Sequence, residues 1–182
     1  MSETSVRRLN WGCGLSPKPG WINSDRRSYE GVDLVADIHD GLPLADDSID
    51  YAVSVHALQE IPYAGLVPAL RELRRVLRPG GVLRLVLPDL DKGIRAYLDN
   101  DRDHFLVPDE EVKSLGGKFI VHMLWHGHSR VLFTHDFVEE LLLRAGFARV
   151  SRCAYKESAG PHAGIVELDN RAGESLFVEA VK

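Results

Sequence analysis

Cysteine is scarce in this chain. Cys13 and Cys153 are the two it has in 182 residues. Two thiols make no disulfide framework, and the expected setting is the reducing cytoplasm. Long apolar runs are missing as well. None could span a bilayer, and the polar opening Met1-Ser2-Glu3-Thr4-Ser5 has no signal-peptide core. No membrane partner is expected. Basic charge is not in excess either: 22 Lys and Arg face 27 Asp and Glu, for a net charge of −5. That opposes a general nucleic-acid binder, which is usually basic. There is no internal repeat and no low-complexity stretch. What remains is an ordinary apolar fraction and a length that suits one domain, 1–182, with one substantial core.

The stretch that organises the chain is Arg8-Leu9-Asn10-Trp11-Gly12-Cys13-Gly14, followed by Trp21-Ile22-Asn23-Ser24-Asp25. A short apolar run enters a Gly-x-Gly turn, and a second run ends in a carboxylate. Glycines at a strand end let a ligand approach the backbone. A carboxylate on the neighbouring strand tip can accept both hydrogen bonds of a ribose diol. A third glycine is lacking. Leu15-Ser16-Pro17-Lys18-Pro19-Gly20 follows, and two prolines so close oppose a regular helix. Without a helix N-terminus to hold a pyrophosphate, NAD and FAD are disfavoured and a nucleoside lacking pyrophosphate is favoured.

The rest alternates strands and helices. Strands are expected at Val6–Trp11, Trp21–Asp25, Val32–Ile38, Ile49–His56 and Val82–Leu87, with two more within Phe147–Tyr155 and Leu176–Val181. His39–Asp50, acidic and broken by Gly41 and Pro43, reads as a loop. Ala64–Leu77 reads as a helix, since Leu66, Leu70, Leu73 and Leu77 recur at helical spacing; Pro79-Gly80-Gly81 stops it. Arg74, Arg75 and Arg78 near its end read as a solvated face. Further helices are expected at Leu90–Leu98, within Glu110–Trp125, and from a Thr134 cap to Ala145 with Gly146 just past its end. The middle region, about 90–130, breaks the rhythm and is expected to cap a site, with Gly116-Gly117 and Gly127 as hinges.

With these pieces in order, the chain resembles the class I S-adenosylmethionine-dependent methyltransferases, and most of all the small bacterial branch with a type-11-like domain. The specific motifs run from Leu9 to Asp89: the Gly12-Cys13-Gly14 turn, Gly20–Asp25, Ala36-Asp37-Ile38, Asp47–Asp50, Ser54–Ile61 and Leu73–Gly81. The resemblance implies an α/β, Rossmann-like, doubly wound sheet. Seven mostly parallel strands would have helices on both faces, a shortened or missing first helix, and an antiparallel last strand at Ser175–Val181. It implies S-adenosyl-L-methionine as cofactor, with Asp25 on the ribose hydroxyls, Asp37 and Ile38 at the adenine, Gly12, Cys13 and Gly14 along the methionine and ribose, and Asn10, Val55 and His56 beside them. Many members carry Asp or Glu where this chain has Asn10, whose amide can still bond the cofactor ammonium. The usual Glu-His pair after the fourth strand is Gln59-Glu60 here.

Methyl transfer from a sulfonium needs alignment and a dry pocket, and a hydroxyl or ammonium acceptor must also lose a proton. His56, His126 and His128 are candidate bases, and Glu60, Tyr63 and Trp125 are candidate contacts to a small-molecule acceptor, a sugar or secondary metabolite. His122, His126, His128 and His135 cluster in sequence, but no cysteine lies near them and no first shell is complete, so no metal is expected. Cys13 reads as a packing residue. The alternative function is a nucleoside-binding protein that keeps the fold without turnover. A third reading, a metal-dependent hydrolase built on these histidines, has no carboxylate at ligand spacing.

Overall fold

The computed structural model describes residues 6–182. The polar opening at Met1–Ser5 lies outside the described residues. Seven strands form one sheet: β1 (Arg8–Trp11), β2 (Ile22–Asp25), β3 (Leu34–Val35), β4 (Ile49–Val55), β5 (Leu77–Pro88), β6 (Arg149–Cys153) and β7 (Ser175–Val181). Their spatial order is β3-β2-β1-β4-β5-β7-β6. β1 to β5 run parallel, and β7 is antiparallel to both β5 and β6. This is the Rossmann-like sheet expected, with the last strand reversed. The order switches direction between β1 and β4, and open α/β sheets form their crevice at that point, beyond the carboxyl ends of the strands.

Among the described residues there are four α-helices: α1 (Tyr63–Val76), α2 (Leu90–Leu98), α3 (Leu115–Leu124) and α4 (His135–Ala145). α1 buries Leu66, Ala69, Leu70, Leu73 and Val76, and α4 buries Val138, Leu141, Leu142 and Ala145. Both stripes join Leu9, Ala52, Leu83, Leu85 and Val178 in the main core, on one face of the sheet. Burying one such leucine stabilises by about 1.5–3 kcal/mol. Asp89 caps α2 by accepting hydrogen bonds from the Asp91 and Lys92 amides. Gly146, in the left-handed conformation, ends α4. Among the described residues no helix is long and apolar enough to cross a membrane.

Several expectations are corrected. β3 shrinks to two residues because Asp37 turns the chain, its carboxylate accepting from the His39 amide. Leu77 leaves α1 and already pairs with Ile49, so Arg78-Pro79-Gly80-Gly81 is a bulge within β5 rather than a break before it. A Cβ on Gly81 would stand 2.8 Å from the Arg78 carbonyl and 3.0 Å from that of Asp50, which makes glycine necessary there. Gly116-Gly117 lie in the first turn of α3, not at a hinge, because Ser114 caps that turn by accepting from the Gly117 amide. The arginines at the end of α1 are not simply solvated. Arg75 donates to the Leu42 and Leu44 carbonyls and pairs with Glu72 and Asp46, which pins the acidic loop. Arg74 donates to the Gly146 carbonyl, and Arg78 pairs with Asp50.

On the opposite face the expected shortening of the first helix goes to completion. Between β1 and β2 there is no helix, only turns. The face is covered from the other end of the chain. The segment 154–174 crosses it, and its single 3₁₀ turn at Ala163–Val166 sets Ile165 against Trp21, Tyr51, Val53 and Val82. Arg84 of β5 fastens this segment. Its guanidinium is fully buried, forks onto Asp169 at 2.6 and 2.7 Å, and donates to Glu179 at 2.7 Å and to the carbonyls of Glu157 and Ala154.

Candidate active site

β1 ends in a loop that the neighbouring strand tip holds open. The Gly14 amide donates to Asp25 Oδ2 at 2.8 Å, and the Arg27 amide donates to Oδ1 at 2.9 Å. A carboxylate has about four lone-pair positions, so each oxygen keeps one for a ligand. Gly12 and Gly14 have φ of +69° and +51°. A Cβ on Gly12 would stand 2.3 Å from that of Ala57, whereas one on Gly14 would meet nothing, on the side a ligand would approach. Burial, with the Asp25 carboxylate beside it, pushes the Cys13 thiol up to about 11. The thiol is protonated at neutral pH and serves as packing.

Asn10 lies beneath this loop. It is buried, and its Nδ2 donates to the Ser16 carbonyl and to Asn23 Oδ1. Asn23 Oδ1 also accepts from the Lys18 amide, and its Nδ2 donates to the carbonyls of Lys18 and Trp21. Two amide side chains thus fold the segment 14–21 where a helix would otherwise stand. A donor is required at position 10, which a carboxylate could not supply. The structure places Asn10 outside the cavity lining.

Above the strand ends opens a cavity of about 490 Å³, a common size for a small-molecule site. It brings together Gly12, Cys13, Gly14, Asp25, Asp37, Ile38, Val55, His56 and Glu60. Arg26, Arg27, Tyr29 and Arg130, which sequence reasoning passed over, stand with them. Glu60 faces Arg26 at 3.6 Å. His56 has φ +49°, so the backbone turns sharply out of β4, and its Nε2 lies 2.9 Å from Ser175 Oγ. Burial first, then the Arg171 charge, pushes the imidazole down to about 4. At neutral pH it is uncharged and a weak proton acceptor.

A second cavity, about 130 Å³, adjoins the first and shares His56 and Glu60 with it. It contains Trp125 and His128 of the expected cap, with Gln59, His122, Ser129, Arg171 and Glu174. Two expected residues stand elsewhere. Tyr63 is exposed and stacks on Phe137, 6.3 Å between centroids. His126 lies outside both linings, its Nδ1 3.7 Å from Glu111. Both follow from backbone direction: Tyr63 starts α1 on its outer side, and Trp125-His126-Gly127 all take positive φ, which turns the chain outward. Glu174 was missed, yet a signal existed. An antiparallel last strand must begin at the edge where the parallel strands end, and Ser175 pairs with Pro88 there. Among the described residues, no three His, Cys, Asp or Glu side chains are grouped to hold a metal ion.

This sheet order, with a glycine turn after β1 and carboxylates at the tips of β2 and β3, is the fold of the class I S-adenosylmethionine-dependent methyltransferases. Residues 8–85 match the family model described as "Methyltransferase domain". Two relatives come from Streptomyces fradiae. One is an uncharacterised 37.1 kDa protein of transposon Tn4556, 42% identical over 90 residues, or 47% of this chain and 25% of the relative. The other is named 23S rRNA (guanine(748)-N(1))-methyltransferase, 36% identical over 74 residues, or 41% of this chain and 23% of the relative. The chain thus spans about a quarter of the length of these relatives. The structure of an S-adenosylmethionine-dependent methyltransferase from Thermotoga maritima superposes with a TM-score of 0.60 at 19% identity, covering 97% of this chain and 82% of that one.

The residues present fit that cofactor. The Asp25 oxygens keep lone pairs for a diol, Asp37 keeps its second oxygen for an amino group, and the open side of Gly14 leaves the backbone accessible.

Proposed function

We propose that the chain binds S-adenosylmethionine in the larger cavity and transfers its methyl group to a small-molecule acceptor held in the smaller one. The observation that carries this reading is the junction. Two cavities meet at His56 and Glu60, directly beyond β4, so a donor in one and an acceptor in the other would touch. The cofactor, when bound, supplies an already activated methyl group, and the protein's part is alignment and exclusion of water.

Asp25 would hold the ribose and Asp37 the adenine amino group, while Ile38 covers the base. His56 is uncharged at neutral pH and tied to Ser175, so it would form a fixed neutral wall rather than a strong base. Trp125 and His128 would enclose the acceptor, so the cap that serves the site lies near residues 122–130 and draws on Arg171 and Glu174. His126 would take no part in the chemistry. A separate acceptor cavity favours an enzyme over a binding protein without turnover. One relative's name records action on ribosomal RNA, but the net charge of −5 and the size of the acceptor cavity favour a small molecule here. Two free thiols suit a reducing cytoplasm.

Calorimetric titration with S-adenosylhomocysteine tests the reading. Saturable one-to-one binding is expected, and no heat at millimolar ligand would overturn it.

A further inference from the structure

Three residues that line the smaller cavity each carry a buried side-chain atom without a hydrogen-bond partner among the described residues: Gln59 Oε1, Ser129 Oγ and Glu174 Oε1. Buried polar groups seldom stay unpaired, since leaving water without a partner is costly. Gln59 and Ser129 are each 5% exposed.

The direction of two of these atoms is fixed by what their side chains already do. Gln59 Nε2 donates to the His56 carbonyl at 2.6 Å, which leaves its oxygen as the free end. His122 Nδ1 accepts from the Leu106 amide, so the proton of the imidazole sits on Nε2 and is directed at Glu174 Oε2, 3.1 Å away. That contact occupies Oε2 of Glu174, and Oε1 has no hydrogen bond, only the Arg171 charge nearby. Burial raises the Glu174 carboxyl, but the His122 hydrogen bond and the Arg171 charge outweigh it and hold the group below its ordinary range. Glu174 is therefore a carboxylate. Arg171 is 3.4 Å from Oε1 but exposed, and its guanidinium lies 5.0 Å over the Trp125 ring.

The residues around the cavity thus hold two acceptors without a hydrogen bond, one of them charged, and a hydroxyl that can accept or donate. A ligand that satisfies them must bring at least two donors at one end. A second carboxylate, Glu60, stands on the shared rim. Building on the reading that the larger cavity takes the cofactor, we infer that the smaller cavity is a head-group subsite for an amine. A nitrogen carrying two or more N–H bonds would donate to Gln59 Oε1 and Glu174 Oε1, with Ser129 Oγ as a third contact. Two carboxylates, Glu174 and Glu60, face one guanidinium, Arg171, in the lining, so an amine head is favoured over carboxylic acids and phosphates. Trp125 offers a face for the body of the ligand.

The test titrates benzylamine, benzyl alcohol and benzoate into the whole protein, with and without S-adenosylhomocysteine. Benzylamine is expected to bind best and benzoate not at all. Glu174→Gln should weaken benzylamine at least tenfold, and Gln59→Leu or Ser129→Ala should weaken it several-fold, with S-adenosylhomocysteine affinity unchanged in all three. Benzoate binding as well as benzylamine does, or a Glu174→Gln affinity equal to wild type, would overturn the inference. The ligand ranking reads on the unaltered protein, so it stands even if a variant fails to fold. Amine binding without nucleoside binding would keep the subsite and remove the cofactor reading. Nucleoside binding without amine binding would do the reverse.

Discussion

His56 has two tasks that pull against each other. It must sit buried between two ligand cavities, and burial depresses its pKa to about 4 against an ordinary 6.5. Between those values the unfolded chain binds a proton that the native state refuses. Stability should therefore be full above about pH 6.5 and fall as pH drops toward 4, by at most about 3 kcal/mol from this group. Chemical denaturation at pH 7 and pH 4.5 reads the loss. His56→Asn tolerates the same left-handed backbone and should shrink the difference between the two pH values. Asp25 is the second residue with a sharp forecast. Asp25→Ala removes a carboxylate that would accept two hydroxyls and that also holds the Gly14 amide. S-adenosylhomocysteine binding should weaken by well over tenfold, equivalent to about 2–4 kcal/mol, as read by calorimetry. The strand-tip carboxylates were legible because their spacing from the glycines is local. Gln59, Ser129 and Glu174 were not, since a chain separation of 115 residues between Gln59 and Glu174 gives no local pattern.

At the scale of elements, strong periodicity translated into structure: α1, α2 and α4 and the cores of β4, β5 and β7 stand within a few residues of where pattern placed them. Failures came where a side chain overrode pattern. Asp37 cut β3 short, and Ser114 fixed the start of α3. The connector 154–174 carried no periodic signal at all, since its place is set by charges that meet Arg84 from distant positions. Arg84→Met should leave Asp169 and Glu179 buried and unpaired, a loss of about 3–5 kcal/mol in urea unfolding. The triple change Arg84→Met, Asp169→Leu, Glu179→Leu should recover much of it, because no charge is then stranded. In the single variant the connector should also become the first site of proteolytic cleavage, between residues 154 and 174.

Across the whole molecule, the sheet is closed by segments far apart in the chain. Trp21 Nε1 donates to Glu167, 146 positions away, and the Arg84 fork spans 85. Contacts of such separation slow folding, because long loops must close before any reward is gained. The consequence belongs to biosynthesis. Translation delivers the glycine turn, both strand-tip carboxylates and all five parallel strands before the connector exists. A nascent chain stalled near residue 150 would present Trp21, Tyr51, Val53 and Val82 as bare sheet. Such a chain is a natural client for chaperones that hold apolar surface, and it would be released only when residues 154–174 have left the ribosome.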